Sequence, residues 1–433
     1  MFSSHGRMGF AVILWSAVTL LTVSSALGAG TITENFNNNH YNQDLWRVSN
    51  IGTGVTSTIV NNRAEVTLPA SAGGSLYMGM MGSRLTVAGD FDMQVDFALL
   101  TWPANNAAQV GLTLEQANDF SIFRRSRGVN EGGGGDIYFT VIKGQMTQVP
   151  ASGTSGKLRM TRTGNTMQGY YWDGAAWQLV GSAADPSLGA ATHVMVNLNR
   201  DTSFSGPIVK AAFDNIQLAY TNWMIYEGFD DNQYQEDLFW MNTSGVGSAD
   251  LANQELQVTI PANDGVAFAV AGLENRLRLA GDFDMQVDFS LPTWPAGNGV
   301  NAGIISPLCS VTRHSFHDNF SGDVDAYLAA LPPGQESFWV NTTDSSGKLR
   351  LRRTGNTVEA FYWLSGAWQS MGSNTDPQLG APIEVYIGAC SGGGAYGPTK
   401  TVTATFDNYV IIFSKVDTGP NPYSPGALML LLE

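Results

Sequence analysis

A nine-residue stretch of this chain occurs twice: Gly89-Asp90-Phe91-Asp92-Met93-Gln94-Val95-Asp96-Phe97 returns unchanged as Gly281 to Phe289. Around it, Thr101-Trp102-Pro103-Ala104 returns as Thr293 to Ala296, and Ser155-Gly156-Lys157-Leu158-Arg159 as Ser346 to Arg350. Thr163-Gly164-Asn165 matches Thr354-Gly355-Asn356, Tyr171-Trp172 with Trp177 matches Tyr362-Trp363 with Trp368, and Phe213-Asp214-Asn215 matches Phe406-Asp407-Asn408. The offset stays between 191 and 194 throughout. A period of that length is a duplicated domain, not a solenoid repeat, so whatever fold one copy adopts the other must adopt too. The repeated segments run from about Thr31 to Ala219 and from Ile225 to Val416, which sets domains at 30–221 and 222–416. The stretch Tyr220 to Met224 is too short for a flexible tether, so the copies are expected to touch.

The repeated block alternates. Phe91, Met93, Val95 and Phe97 share one face and Asp92, Gln94 and Asp96 the other, the period-two signature of a half-buried strand. Thr163-Gly164-Asn165 and Asp173-Gly174 are hairpin turn signals, and turn residues recur along the chain. Only 14% of residues are charged and 49 are glycine, which suits short strands joined by turns, not surface helices. The expected class is all-β.

Residues 1–29 read as a signal peptide, with Arg7 before an apolar run and Ala26-x-Gly28 as the cleavage site. Residues 417–433 form an irregular tail. A net charge of −15 speaks against nucleic acid and anionic lipid as partners. The expected location is therefore secreted or cell-surface, without a membrane span once the leader is removed. In an exported protein the only two cysteines, Cys309 and Cys390, are expected to form a disulfide, since both follow apolar segments that read as neighbouring strands.

An opening Phe36 followed by Trp46, a central Leu-Arg hairpin leading into Tyr171-Trp172-Asp173-Gly174 and Trp177, and a closing Phe213-Asp214-Asn215 strand resemble concanavalin A-like (LamG-type) jelly-roll domains. The second copy departs where Leu364 replaces Asp173. The resemblance implies two tandem antiparallel jelly-roll β-sandwiches, with carbohydrate as the commonest ligand class. It also places Trp46, Trp240, Trp177 and Trp368 in cores.

Hydrolases of that fold use a Glu-x-Asp-x-x-Glu strand, whereas the acidic strand here carries Asp90, Asp92 and Asp96 with Gln94 between, so catalysis is not the leading expectation. Sugar stacking is expected at Trp102 and Trp294, in Pro-containing loops, and on a sheet face through Tyr170, Trp172, Phe361 and Trp363. Glu34 with Asp214, and Glu227 with Asp407, sit on opening and closing strands that run side by side in jelly rolls and could hold a structural Ca2+; turn capping is the competing reading. The leading expectation is a non-catalytic glycan-binding protein. A rigid adhesive surface spacer and a divergent glycoside hydrolase are the alternatives. Paired acidic and aromatic side chains in Gln116–Thr154 or Leu308–Ser345 would favour ligand binding over a spacer.

Overall fold

The alternating block forms the middle of a long antiparallel strand, Thr86–Thr101, with Phe91, Met93, Val95 and Phe97 buried and the acidic residues half-exposed on the other side. Its twin is Arg278–Thr293. In the computed structural model, which describes residues 30–114, 120–128, 135–184, 191–262, 268–318, 322–332, 336–391, 398 and 400–417, strands dominate and every strand pairing is antiparallel, the all-β class expected. The leader read over 1–29 and the tail beyond 417 lie outside the described residues.

Each copy packs a seven-stranded sheet against a larger one. The first small sheet runs, edge to edge, Gln145–Pro150, Asp136–Ile142, Phe120–Ser126, Gln109–Leu114, Val194–Arg200, Tyr77–Ser83, Trp46–Ile51. The second repeats that order with Glu336–Asn341, Gly322–Leu331, Ser310–Asp318, Val300–Ile305, Tyr386–Ser391, Ala269–Asn275 and Phe239–Ser244.

The stretch read as a connection is itself sheet. Tyr220–Met224 lies inside a 19-residue strand, Val209–Glu227, that pairs with Thr86–Thr101 along its length and, over Trp223–Glu227, also with Val402–Asp417. The large sheet is therefore continuous through both copies. Trp223 stands opposite Val87 of the first copy and Phe413 of the second, and all three are buried in one hydrophobic cluster that spans both. The two small sheets consequently pack on the same side of the shared sheet.

Register overturns the expected disulfide. Val300–Ile305 and Tyr386–Ser391 are indeed neighbours, but Cys390 faces Asn301 while Ile305, the residue nearest Cys309 in that strand, faces Tyr386 at the other end. Cys309 sits in the turn beyond, its Sγ 3.4 Å from Ser306 Oγ, and both cysteines are free buried thiols. Burial pushes the Cys309 thiol up to about 11 and the Cys390 thiol to about 12, which keeps both protonated and unreactive.

Two aromatic assignments also change. Trp46 is buried, but its structural counterpart is the buried Phe239; Trp240 lies on the outer face beneath Arg276, 5.4 Å from its ring centroid. Trp177 and Trp368 are half-buried on the outer face of the large sheet, edge-on to Trp172 and Trp363 at 5.4 and 5.1 Å. A bulge between Gly169 and Tyr170, repeated between Ala360 and Phe361, shifts the strand pairing and turns these rings outward.

Candidate functional site

The outer face of the large sheet carries the same ladder in both copies. Asp92 accepts both Nε and Nη2 of Arg159, at 2.8 and 2.5 Å, and the guanidinium lies 5.5 Å from the Tyr170 ring and 5.7 Å from that of Trp177. In the second copy Arg350 pairs with Asp284 and lies 5.3 Å from Phe361 and 5.5 Å from Trp368. Lys157 and Lys348 hold Asp96 and Asp288. The acidic strand is thus a row of ion pairs rather than a pair of carboxylates facing a shared substrate. Of the residues expected to bind sugar, Tyr170 and Phe361 serve here as platforms for arginine. Trp172 lines a shallow depression of about 370 Å³ with Asp96, Lys157 and Asp214.

Trp102 and Trp294 close sandwich edges. The Trp102 indole N–H donates to Asp136 at 3.0 Å, Asp136 pairs with Arg124 at 2.7 Å, and Tyr138 stacks on Tyr171 at 4.3 Å. The second copy repeats this with Trp294 to Asp325 at 3.4 Å, Arg313, and Tyr327 on Tyr362 at 4.7 Å. Both indoles are half-buried against the core. A network kept in both copies and tied to buried arginines braces the fold.

The expected metal ligands are likewise engaged. Glu34 accepts the Phe36 N–H at 2.9 Å and the Asn42 N–H at 2.8 Å, and Glu227 accepts those of Phe229 and Gln235 at 3.1 and 3.0 Å. Each buried carboxylate thereby holds a Phe in the left-handed region, φ 52° at both positions, which a bulky residue adopts only when its surroundings hold it there. Asp214 and Asp407 accept the N–H of the residue that follows. These carboxylates cap turns. Among the described residues no group of three or more His, Cys, Asp or Glu is placed to hold a metal ion.

Burial, joined by the like charges of Asp288, Asp230 and Glu255 and opposed by the Asn408 N–H, raises the Asp407 carboxyl to about 6. Because this lies above the unfolded value of about 3.9, the folded state binds the proton more tightly, and the stability so gained is lost as pH rises through 6. Asp407→Asn should therefore melt higher than wild type at pH 7.5, and the difference should vanish below about pH 4, as thermal unfolding across that range would show. A constant difference at all pH values would rule out this titration as its source.

Where the copies differ is the outer face of the small sheets. In Ser310–Asp318, Val311, Arg313 and Ser315 point into the sandwich, leaving Thr312, His314 and Phe316 on the outside. Trp339 stands opposite Leu328 on the same face and is 58% exposed, the most exposed large aromatic among the described residues. The rings form a row: His314 stacks on Phe316 at 5.0 Å and Phe316 on Trp339 at 5.6 Å, over the buried methyl of Ala326. Burial lowers the His314 imidazole to about 4, so at neutral pH the row carries no charge.

This row runs to the rim of the larger cleft described, about 710 Å³, lined among others by Asp323, Asp325, Asp344, Tyr327, Tyr362 and Asn341. Val324, opposite Phe316, lines it too. Tyr327 Oη donates to Asp344 Oδ2 at 2.9 Å. In the first copy the positions of His314 and Trp339 hold Arg125 and Gln148, because Arg124 faces Tyr138 as Arg313 faces Tyr327, and Gln148 faces Phe139 as Trp339 faces Leu328. Comparing the copies position by position, with the buried arginines as anchors, is the sequence signal that would have singled these residues out.

Among the described residues the second copy thus carries an apolar ring row beside an acidic cleft on its β-sandwich. A family described as "Protein of unknown function (DUF1583) C domain" matches residues 17–192. No curated protein matches the sequence. Solved structures with partial similarity include the exoplasmic/lumenal domain of VIP36 with Ca2+ and Man3GlcNAc bound, at 9% identity and a TM-score of 0.32 over 41% of this chain and 83% of that one. A beta-1,3-glucanase from Mycobacterium marinum is similar at 13% identity and a TM-score of 0.30, over 40% and 91%. A protein described with endo-acting O-glycanases of the human gut microbiota is similar at 8% identity and 0.34, over 44% and 98%. Among the described residues no helix is long and apolar enough to cross a membrane.

Proposed function

We propose that this is a secreted or cell-surface protein that binds a neutral glycan without cleaving it, and that the ring row of the second copy is where the sugar lies. The observation that carries this reading is Trp339, an indole left largely in solvent yet held in place by its stack on Phe316. A sugar offers an apolar ring face to such a surface and hydroxyls to the polar groups around it. Asn341, two residues along the same strand, and the carboxylates of Asp323 and Asp344 at the cleft supply acceptors for those hydroxyls. The stacked rings and the cleft carboxylates that occur together within Leu308–Ser345 favour ligand binding over a bare spacer.

Affinity electrophoresis in gels containing laminarin, galactomannan or xylan tests this. Wild type should be retarded by at least one of the three, and Trp339→Ala should bind it at least about tenfold more weakly, the loss of roughly 1.4 kcal/mol of contact. Its folding stability should change by less than about 1 kcal/mol, since the residue is mostly exposed. Unchanged retardation of Trp339→Ala would sink the assignment.

A further inference from the structure

We propose that the outer face of the first small sheet is a second sugar subsite, chemically unlike the first, in which a row of carboxamides offers a hydrogen-bond donor to a hydroxyl oxygen of the same chain. It rests on the glycan reading for the nature of its occupant, but not on Trp339. In Gln109–Leu114 and Val194–Arg200 the apolar residues Val110, Leu112, Val196 and Leu198 face the core, so Gln109, Asn197 and Asn199 face outward. Gln109 stands between Arg125 on one side and Asn199 on the other.

The amides form a directed chain. Gln109 Nε2 donates to Asn199 Oδ1 at 2.8 Å, and Asn199 Nδ2 donates to Asn197 Oδ1 at 2.5 Å. Asn197 Nδ2, the end of the chain, has no partner although Asn197 is 0% exposed. A buried donor left unpaired costs about 1–3 kcal/mol, so such a group is unusual unless something comes to satisfy it. The side chains beside it are Met80, directly opposite, and Met78, opposite Asn199. These are unbranched and flexible, able to swing aside for an incoming chain. Opposite Asn197 stands Gly111, where a Cβ would come within 2.1 Å of the Ile122 carbonyl oxygen and 2.7 Å of the Phe123 ring.

The row belongs to the first copy alone. The positions of Asn197, Asn199 and Gln109 are held in the second by Gly388, Cys390 and Asn301, which stand in the same register. Both small sheets pack on one side of the continuous sheet, so in this proposal a single polysaccharide chain meets both outer faces. Contacts at two sites on a rigid frame then reinforce each other.

The test uses the full chain and the same three polysaccharides. Asn197→Asp keeps the acceptor for Asn199 and replaces the terminal donor, so it should weaken retardation about tenfold in whichever gel retards wild type. Adding that polysaccharide to wild type should slow hydrogen–deuterium exchange in 194–200, a readout that holds even if the variant folds poorly. Full retardation of a folded Asn197→Asp protein, or no added protection of 194–200, overturns the subsite while leaving the Trp339 reading intact. The opposite pattern, with Asn197→Asp weakened and Trp339→Ala unchanged, removes the Trp339 site and keeps this one. If none of the three polysaccharides retards wild type, both fail.

Discussion

Arg353→Leu should lower the stability of this protein by roughly 3–5 kcal/mol, among the largest effects of any single substitution. The Arg353 side chain is fully buried with no carboxylate partner; its guanidinium donates instead to the backbone carbonyls of Gly281, Leu279, Leu379 and Ala381 and lies 4.6 Å from the Phe283 ring. These carbonyls belong to the central strand of the second copy and to the short turn Pro377–Gly380 with Ala381 that caps it, so one side chain ties the turn to the sheet. Leucine fills the volume but leaves several acceptors orphaned, at about 1–3 kcal/mol each where water cannot reach them. Lysine should recover less than half, since an ammonium with three donors cannot address four carbonyls. Denaturant unfolding checks this. A loss under 1 kcal/mol for leucine would mean that the turn re-forms without its arginine.

The second large effect concerns the seam. Trp223 is 1% exposed, packs on Tyr220 at 4.5 Å and joins the cores of the two copies. Truncating a buried tryptophan costs about 3–5 kcal/mol. Here the cost should fall on the coupling between copies. Wild type should unfold in one calorimetric transition, and Trp223→Ala should separate it into two. We propose 30–221 and 222–416 as the units that then melt apart. A single transition that merely moves down would show that the seam is not what couples them.

Much of the fold was legible because its information is local. The period-two run at Phe91–Phe97 and the turn signals fix strands wherever one face is apolar and the other polar. The duplication then doubles every inference. What escaped was register and side. The cysteines lie on or beside truly adjacent strands, but only the pairing of Ile305 with Tyr386 reveals that they sit at opposite ends. Trp177 and Trp368 face outward because Val180 and Met371 are extra residues in their strands, and a one-residue slip sets the side chains before the bulge on the opposite face from the one that unbroken alternation gives.

The ring row was hidden for a different reason. In Thr312-Arg313-His314-Ser315-Phe316 the inward positions are the polar ones, a buried arginine and a serine, so ordinary alternation puts Phe316 on the wrong face. Phe338-Trp339-Val340 has no polar residue to mark a side at all. By contrast Trp102 and Trp294 looked like exposed loop rings. Their bonds to Asp136 and Asp325 come from strands far along the chain, which no local pattern discloses.

A glycan array probed with three forms of the protein tests the central claim most directly. Wild type should mark a set of neutral glycans, and a Trp102→Ala, Trp294→Ala form, provided it remains folded, should mark the same set. Trp339→Ala should lose it while keeping its fold. If Trp339→Ala marks the same glycans at the same strength, the ring row of the second copy is not the binding site.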